Sequence, residues 1–196
     1  MRGKVRDRIL RVLANAPSGD MSKYEIARQA GATYPWVREF FLKLEEMGLV
    51  KGTGVLDYPA LLRYWQSVYV KHKTREYMVK EPLKILKDSK LPYALTTYQA
   101  ENLIQSYLFP SRVDVYIIES DWKQWHDMIS KKGLVGKGNM RLLLADEHVF
   151  YKSFEKDGLK IVSAPQLIVD LMIEGGVCVE AAELLIKKVM KDVRTA

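Results

Sequence analysis

Gly31-Ala32-Thr33-Tyr34-Pro35-Trp36-Val37-Arg38-Glu39-Phe40-Phe41-Leu42-Lys43-Leu44-Glu45-Glu46-Met47-Gly48-Leu49-Val50 decides how the first third of this chain folds. Thr33 can cap a helix, and Pro35 falls in its first turn, where a missing amide hydrogen costs nothing. Val37, Phe41, Leu44 and Met47 recur at the spacing of one helical face, and Gly48 is a natural stop. Upstream, Ser22-Lys23-Tyr24-Glu25 has the form of a capping box, in which the Ser22 hydroxyl accepts from the Glu25 amide while the Glu25 carboxylate reaches back. The helix it opens runs through Ile26 and Ala27 to Gly31. Before it, Val5, Ile9, Val12 and Leu13 form another stripe that ends at Pro17-Ser18-Gly19. Downstream, Leu49-Val50-Lys51 and Val55-Leu56 flank Gly52-Thr53-Gly54, a hairpin signal with a three-residue turn. Asp57 then caps a fourth helix, from Pro59 to about Trp65.

Two short helices joined through a glycine-containing turn and followed by a hairpin have the order of a helix-turn-helix with a wing. The stretch from Gly31 to Val50, closing on Leu44-Glu45-Glu46-Met47-Gly48-Leu49-Val50, resembles winged-helix DNA-binding domains. A recognition helix enters the major groove with its N-terminal residues leading. Off the Val37/Phe41/Leu44 stripe, the residues near that end that face outward are Tyr34, Pro35, Trp36, Arg38 and Glu39. Arg38 suits a bidentate contact to guanine, and Tyr34 or Trp36 a contact to thymine methyls or sugars. Thr33, at the helix entrance, joins this DNA-binding set. Lys23, Lys43 and the wing residues Lys51 and Thr53 suit phosphates, which position a protein without specifying sequence. Two structural readings stand beside these: Trp36 packing on the first helix, and Arg38 in a surface ion pair.

Charge points the same way. The 196 residues hold 31 Lys+Arg against 24 Asp+Glu, a net charge of +7. Residues 1–92 hold 18 against 10, whereas residues 93–196 hold 13 against 14, so an anionic partner is expected for the first part only. With 48% hydrophobic and 28% charged residues, wholesale disorder is excluded. Apolar runs such as Leu142–Ala145 fall far short of the ~20 residues that span a bilayer. The basic start, Met1-Arg2-Gly3-Lys4, leads into alternating charge and not into an apolar signal core. A cytoplasmic protein with no membrane partner is expected. The single Cys178 excludes an intramolecular disulfide and a Cys-rich zinc site.

The remainder alternates strands and short helices. Strands are read at Val68–His72 and onward to Tyr77, at Tyr93–Thr96, Arg112–Ile118, Arg141–Leu144, His148–Phe150 and Leu159–Val162. Helices are read from Pro82 to Leu86, Gln99 to Ser106, Asp121 to about Ile129, Pro165 to Glu174 and Val179 to about Lys191. The fold class is therefore mixed α/β: an N-terminal winged helix domain (1–66) followed by a small α/β domain with a mixed sheet (67–196). Asp114 and the Glu119-Ser120-Asp121 acids lie near a strand end, as in metal-binding nucleotidyltransferases, but no Gly-Ser turn precedes them. Asp114 is read as a structural acid whose loss has a modest effect on stability. Gly133-Leu134-Val135-Gly136-Lys137-Gly138-Asn139 lacks the ending of a P-loop and is read as a mobile loop. His72, His126 and His148 are dispersed, without triad or metal spacing. Cys178 lies near a helix start whose dipole could lower its pKa, although a small apolar role suits it better. No catalytic residue, cofactor or metal is expected, and the chain is read as a non-enzyme.

Leu95-Thr96-Thr97-Tyr98-Gln99-Ala100, the strand Val113–Ile117, Val162-Ser163-Ala164-Pro165-Gln166-Leu167-Ile168-Val169-Asp170-Leu171 and Glu180-Ala181-Ala182-Glu183-Leu184-Leu185 occur in this order behind the winged helix. Together they resemble transcriptional regulators of the AbiEi type, the antitoxin-like repressors of abortive-infection type IV toxin–antitoxin systems. Thr97 stands where the family often has Gly, and Gly175-Gly176-Val177 where Gly-Arg-Gly is common. The resemblance implies a repressor whose winged helix binds operator double-stranded DNA. Its second domain would serve antitoxin or assembly function beside a nucleotidyltransferase-like toxin, with a dimer compatible. The alternatives left open are an RNA-binding or nucleotidyltransferase-like protein acting on RNA, and a protein-interaction adaptor. Asp170, between Val169 and Leu171, reads as an internal hydrogen-bond anchor.

Overall fold

The computed structural model describes residues 2–195, in two compact units. Unit 1 comprises Met1–Val70, Ala164–Ile173 and Ala182–Ala196, and unit 2 comprises Lys71–Ser163 and Glu174–Ala181. The sequence reading placed everything after residue 66 in the second domain. The chain instead returns to the first.

In unit 1, α1 (Arg2–Ala14), α2 (Lys23–Ala30) and α3 (Tyr34–Glu46) are followed by β1 (Val50–Lys51), β2 (Gly54–Val55) and α4 (Tyr58–Val68). This N-terminal stretch has the helix and hairpin order of a winged helix. The Ser22 capping box is present with both of its bonds, and Gly31 ends α2 in the left-handed region. Val37, Phe41 and Leu44 are each fully buried. Met47 is not part of that stripe. It caps the end of α3 and is 47% exposed, while Phe40 takes the buried place, its ring 5.4 Å from that of Trp36 and 6.3 Å from that of Tyr64. The hairpin pairs Val50 with Val55 and Lys51 with Gly54, so its turn is the two residues Gly52-Thr53. Two bonds fix it to the loop between α1 and α2: Val55 donates to the Pro17 carbonyl (2.8 Å), and the Thr53 hydroxyl to that of Gly19 (3.0 Å). Asp57 caps α4 by accepting from the Ala60 amide.

The return of the chain has a polar reason as well as an apolar one. In α8 (Ala164–Glu174), the residues from Pro165 to Leu171 are all buried. Buried Arg11 lies 5.7 Å from the centre of the Trp65 ring and donates from Nε to Gln166 Oε1 (2.8 Å). Gln166 in turn donates to Asp170 Oδ1 (2.8 Å), which also accepts from the Tyr69 hydroxyl (3.3 Å). A buried guanidinium needs such partners, and no residue before 67 supplies the Gln166 one. Asp170 is thus the internal anchor its apolar neighbours suggested.

Unit 2 is built on a seven-stranded mixed sheet. Its strands are β3 (Lys73–Val79), β4 (Tyr93–Thr96), β5 (Val113–Ile118), β6 (Gly133–Val135), β7 (Met140–Ala145), β8 (Phe154–Lys156) and β9 (Leu159–Ile161), in the order β6-β3-β7-β5-β4-β9-β8. β5/β7 and β4/β9 are parallel, and the other neighbours are antiparallel. Helices α5 (Pro82–Asp88), α6 (Thr97–Gln105) and α7 (Trp122–Ser130) lie between strands in the chain. The glycine-rich stretch is not a free loop: Gly133 to Val135 form the edge strand on β3. Side chains at Gly133 and Gly138 would collide with the β3 backbone at Met78 and Tyr77, which accounts for the glycines there. His148–Phe150 is no strand either. Asp146 accepts from the His148 amide and winds Glu147–Phe150 into a 3₁₀ turn. α4 runs on to Val68, so the strand read from there begins only at Lys73. Asp121 makes no capping bond; it ends a 3₁₀ turn that leads into α7.

Unit 1 also buries Asp7, whose Oδ2 accepts from the Val70 amide (3.2 Å) while Oδ1 has no partner. Burial pushes its carboxyl up to about 6, against the opposing pull of that amide, Arg11 and Arg6. The folded state therefore holds this proton more tightly than the unfolded state, and stability is gained as pH falls below about 6. Relative to Asp7→Asn, the wild type should gain about 2 kcal/mol between pH 7 and pH 4.5. Urea unfolding of both proteins at the two pH values measures it, and parallel profiles would show that Asp7 does not titrate there.

Candidate nucleic-acid interface

The buried stripe sets which residues α3 presents. With Val37, Phe40, Phe41 and Leu44 inward, Tyr34, Pro35, Arg38, Glu39, Leu42, Lys43 and Glu46 are exposed. Of the eight side chains expected to meet DNA, five are outward and unengaged: Thr33, Tyr34, Arg38 and Lys43 at or on α3, and Lys51 on the wing. None of them makes a side-chain hydrogen bond or ion pair in the structure, so the surface-pair reading of Arg38 is not realised.

The other three are engaged. Lys23 pairs with Glu45 (3.4 Å) and lies 5.2 Å from the centre of the Phe41 ring, which ties the start of α2 to α3. Thr53 spends its hydroxyl proton on Gly19. Trp36 is half-buried and tilted against Phe40, one turn along its own helix. What remains for a nucleic acid is a short row, led by Tyr34 and Arg38 one turn apart.

Charge on this surface is mixed. Unit 1 holds 15 Lys/Arg against 10 Asp/Glu, and unit 2 holds 16 against 14. Within α3, Arg38 and Lys43 stand against Glu39, Glu45 and Glu46. Residues 71–92, which carry seven bases against three acids, belong to unit 2. The basic excess of the first 92 residues is therefore divided between the units.

Unit 2 holds a second polar centre that local sequence did not reveal. Asp114 is fully buried at the start of β5. Its two oxygens accept from Arg112 (2.6 and 3.1 Å) and Arg141 (2.9 and 3.0 Å), and Oδ2 also accepts from the Thr97 hydroxyl. Glu174 receives the Nη2 groups of the same two arginines (2.7 and 2.8 Å). Thr97 adopts φ 47°, the left-handed region, to begin α6 directly at the end of β4. This conformation is uncommon for a branched residue, and the Asp114 bond holds it. The arginines raise one another's demand for anions, and with them Glu174 titrates below the usual carboxylate range despite its burial.

Every Asp114 lone-pair direction is occupied by this network, which leaves no coordination position on it for a metal. Among the described residues, no three His, Cys, Asp or Glu side chains come together so as to hold a metal ion. His72 meets the Leu144 carbonyl (3.1 Å), His126 the Tyr77 hydroxyl (3.0 Å), and His148 stacks on Tyr151. Cys178 is buried, and burial, with Glu174 and Asp114 nearby, pushes its thiol up, so the helix start does not activate it. No helix among the described residues is long and apolar enough to cross a membrane.

No protein-family model matches the chain, and neither does a curated protein or a solved structure.

The Asp114 lattice changes the expected cost of its removal from modest to large. Asp114→Ala leaves two guanidinium groups short of their main anion, and losing one partner of a buried ion cluster costs about 3–5 kcal/mol. Urea denaturation should show that loss, with Asp114→Asn also destabilised because an amide cannot accept on both atoms. A change below about 1 kcal/mol for Asp114→Ala would mean the arginines find other partners.

Proposed function

We propose that the protein is a sequence-specific DNA-binding regulator that contacts duplex DNA through α3 and the wing, and that it acts by binding and not by catalysis. The observation that carries this reading is the set of unengaged outward side chains, Tyr34, Arg38, Lys43 and Lys51, on the helix and hairpin of a winged helix whose unit has excess positive charge. Arg38 follows Tyr34 by one helical turn near the leading end, the part of such a helix that meets base edges. Lys51, at the wing, reaches phosphate. The saturated bonding of Asp114 supports the non-enzymatic part. The AbiEi-type resemblance extends the reading to an autoregulating, antitoxin-like repressor with a nucleotidyltransferase-like toxin as partner.

A second reading, contact between unit 2 and RNA, is favoured by the seven bases against three acids in residues 71–92. The two differ in an experiment. Binding to random duplex should weaken with salt at a log–log slope of about −0.9 per phosphate contact. After selection of a preferred duplex from a random pool, Arg38→Ala should cost about 1–3 kcal/mol on that sequence and much less on a scrambled one. Lys51→Ala should weaken both equally and reduce the slope by about one unit. Tighter binding of single-stranded RNA than of any selected duplex, unaffected by Arg38→Ala, would favour the second reading.

A further inference from the structure

Unit 2 has an open cavity of about 410 Å³ between the start of α5, the start of α6 and the segment that leads into β5. That volume is in the range of small-molecule sites and is too small for a polymer. Part of its polar lining is unused, although Asn139 spends its side chain on the Val79 backbone. Gln99 is 9% exposed, yet its side-chain amide makes no hydrogen bond within the protein. Its amide atoms are not among the sealed unsatisfied groups of the protein, so they are open to the cavity that Gln99 lines and free to bond a ligand there. Arg112, another lining residue, spends Nε and Nη2 on Asp114 and Glu174, while its Nη1 donates to nothing. At the mouth, Glu81 and Lys84 are exposed, three residues apart, and do not pair with each other. Leu83, Pro110 and Val113 supply apolar surface between these groups.

The charges decide the kind of ligand. Arg112 belongs to a cluster whose two arginines are balanced by two carboxylates, and Lys84 is balanced by Glu81. The surroundings are thus neutral overall but present both signs separately. A simple anion would leave Glu81 opposed, and a simple cation would face the guanidinium. A small zwitterion satisfies both. We propose that this cavity is a binding site for a free α-amino acid. Its carboxylate is received by Arg112 Nη1 and Lys84, its ammonium group by Glu81, and Gln99 bonds a polar atom of the ligand with an amide that has no other use. This site stands independently of the DNA-binding reading, which concerns unit 1 alone.

The test uses the full-length protein labelled with ¹⁵N and titrated separately with each of the twenty standard amino acids, with acetate, methylamine and inorganic phosphate as single-charge or anionic comparisons. Expected is a saturable shift of the Gln99 side-chain amide signals with one or a few amino acids, and none with the comparison compounds. Glu81→Gln and Lys84→Gln, both surface changes, should each weaken that binding about tenfold or more. Gln99→Leu should abolish it while leaving the melting temperature unchanged or raised, because the amide has no partner in the free protein. A fall in melting temperature for Gln99→Leu would mean that the amide is structural and would overturn its assigned role. No saturable shift with any amino acid, or equal binding of acetate or phosphate, would overturn the zwitterion site. If Gln99→Leu fails to fold, the two surface variants decide the matter alone.

Discussion

A helix has one rotation about its own axis, and in α3 that rotation is set by sealing Val37, Phe41 and Leu44 from water. Fully burying each such side chain contributes roughly 1.5–3 kcal/mol, so turning the helix to present another face would forfeit several times the thermal energy. Everything on its surface follows from that choice. Tyr34 and Arg38 leave on one flank, Lys43 on the other, and Glu39 and Glu46 between them. The same packing holds Lys23, whose ammonium lies over the Phe41 ring and pairs with Glu45. A residue read as a phosphate contact is thereby part of the frame that aims the others. The wing is held by comparable means, since Thr53 and Val55 both bond to the loop between α1 and α2.

Unit 2 depends on a polar constraint instead. The Asp114 carboxylate draws together the strand it sits on, the first turn of α6 through Thr97, and β7 through Arg141. Buried ion clusters of this kind contribute little net stability compared with a well-packed apolar core, because desolvation offsets attraction. Their effect is directional. An arginine fork accepts carboxylates only in certain planes, so a register slip of β5 against β7 would break the bonds between Asp114 and Arg141, which are direct partners across that parallel pair. The geometry also explains why Arg112 keeps one nitrogen free. Two carboxylates shared between two arginines satisfy Nε and Nη2 on each, and the planar fork turns Nη1 away.

What the amino-acid sequence made legible is what neighbouring residues decide among themselves. Ser22 and Glu25 are three residues apart, and their reciprocal cap formed as read; so did the Gly31 stop and the Asp57 cap. The hairpin was legible too, one turn residue shorter than expected, because Gly54 pairs with Lys51 in the ladder and leaves only Gly52 and Thr53 to turn. Phe40 was missed because the stripe was counted on to Met47, one position past the end of the helix. The larger omissions are contacts between distant positions. Arg11 meets Gln166 across 155 residues, and Arg112 meets Glu174 across 62. Nothing in the local pattern marks Arg11 as buried or Arg112 as held by distant carboxylates. The one available signal was an acid flanked by apolar residues, at Asp114 within Val113–Ile118 and at Asp170 between Val169 and Leu171. An acid in such a place must find a cation or a donor, and both did.

Net charge and single side chains give different pictures of the candidate interface. Counted along the chain, the first 92 residues hold a surplus of eight bases; counted by unit, the winged helix and the segments that return to it hold a surplus of five. Part of that surplus is internal, since Arg11 is buried and Lys23 is paired. On α3 itself acids outnumber bases. Under the proposed function, a duplex approaching this surface would therefore meet no broad positive field of the kind that drives indiscriminate attraction. It meets a few unengaged groups separated by carboxylates. Exposed glutamates repel phosphate wherever the helix is misaligned, yet in the groove they can accept from cytosine amines. On the proposed DNA-binding reading, an interface of this composition would bind random DNA weakly and gain its affinity from a correctly seated sequence, so discrimination between duplexes, more than affinity for any one of them, is the property its residues would favour.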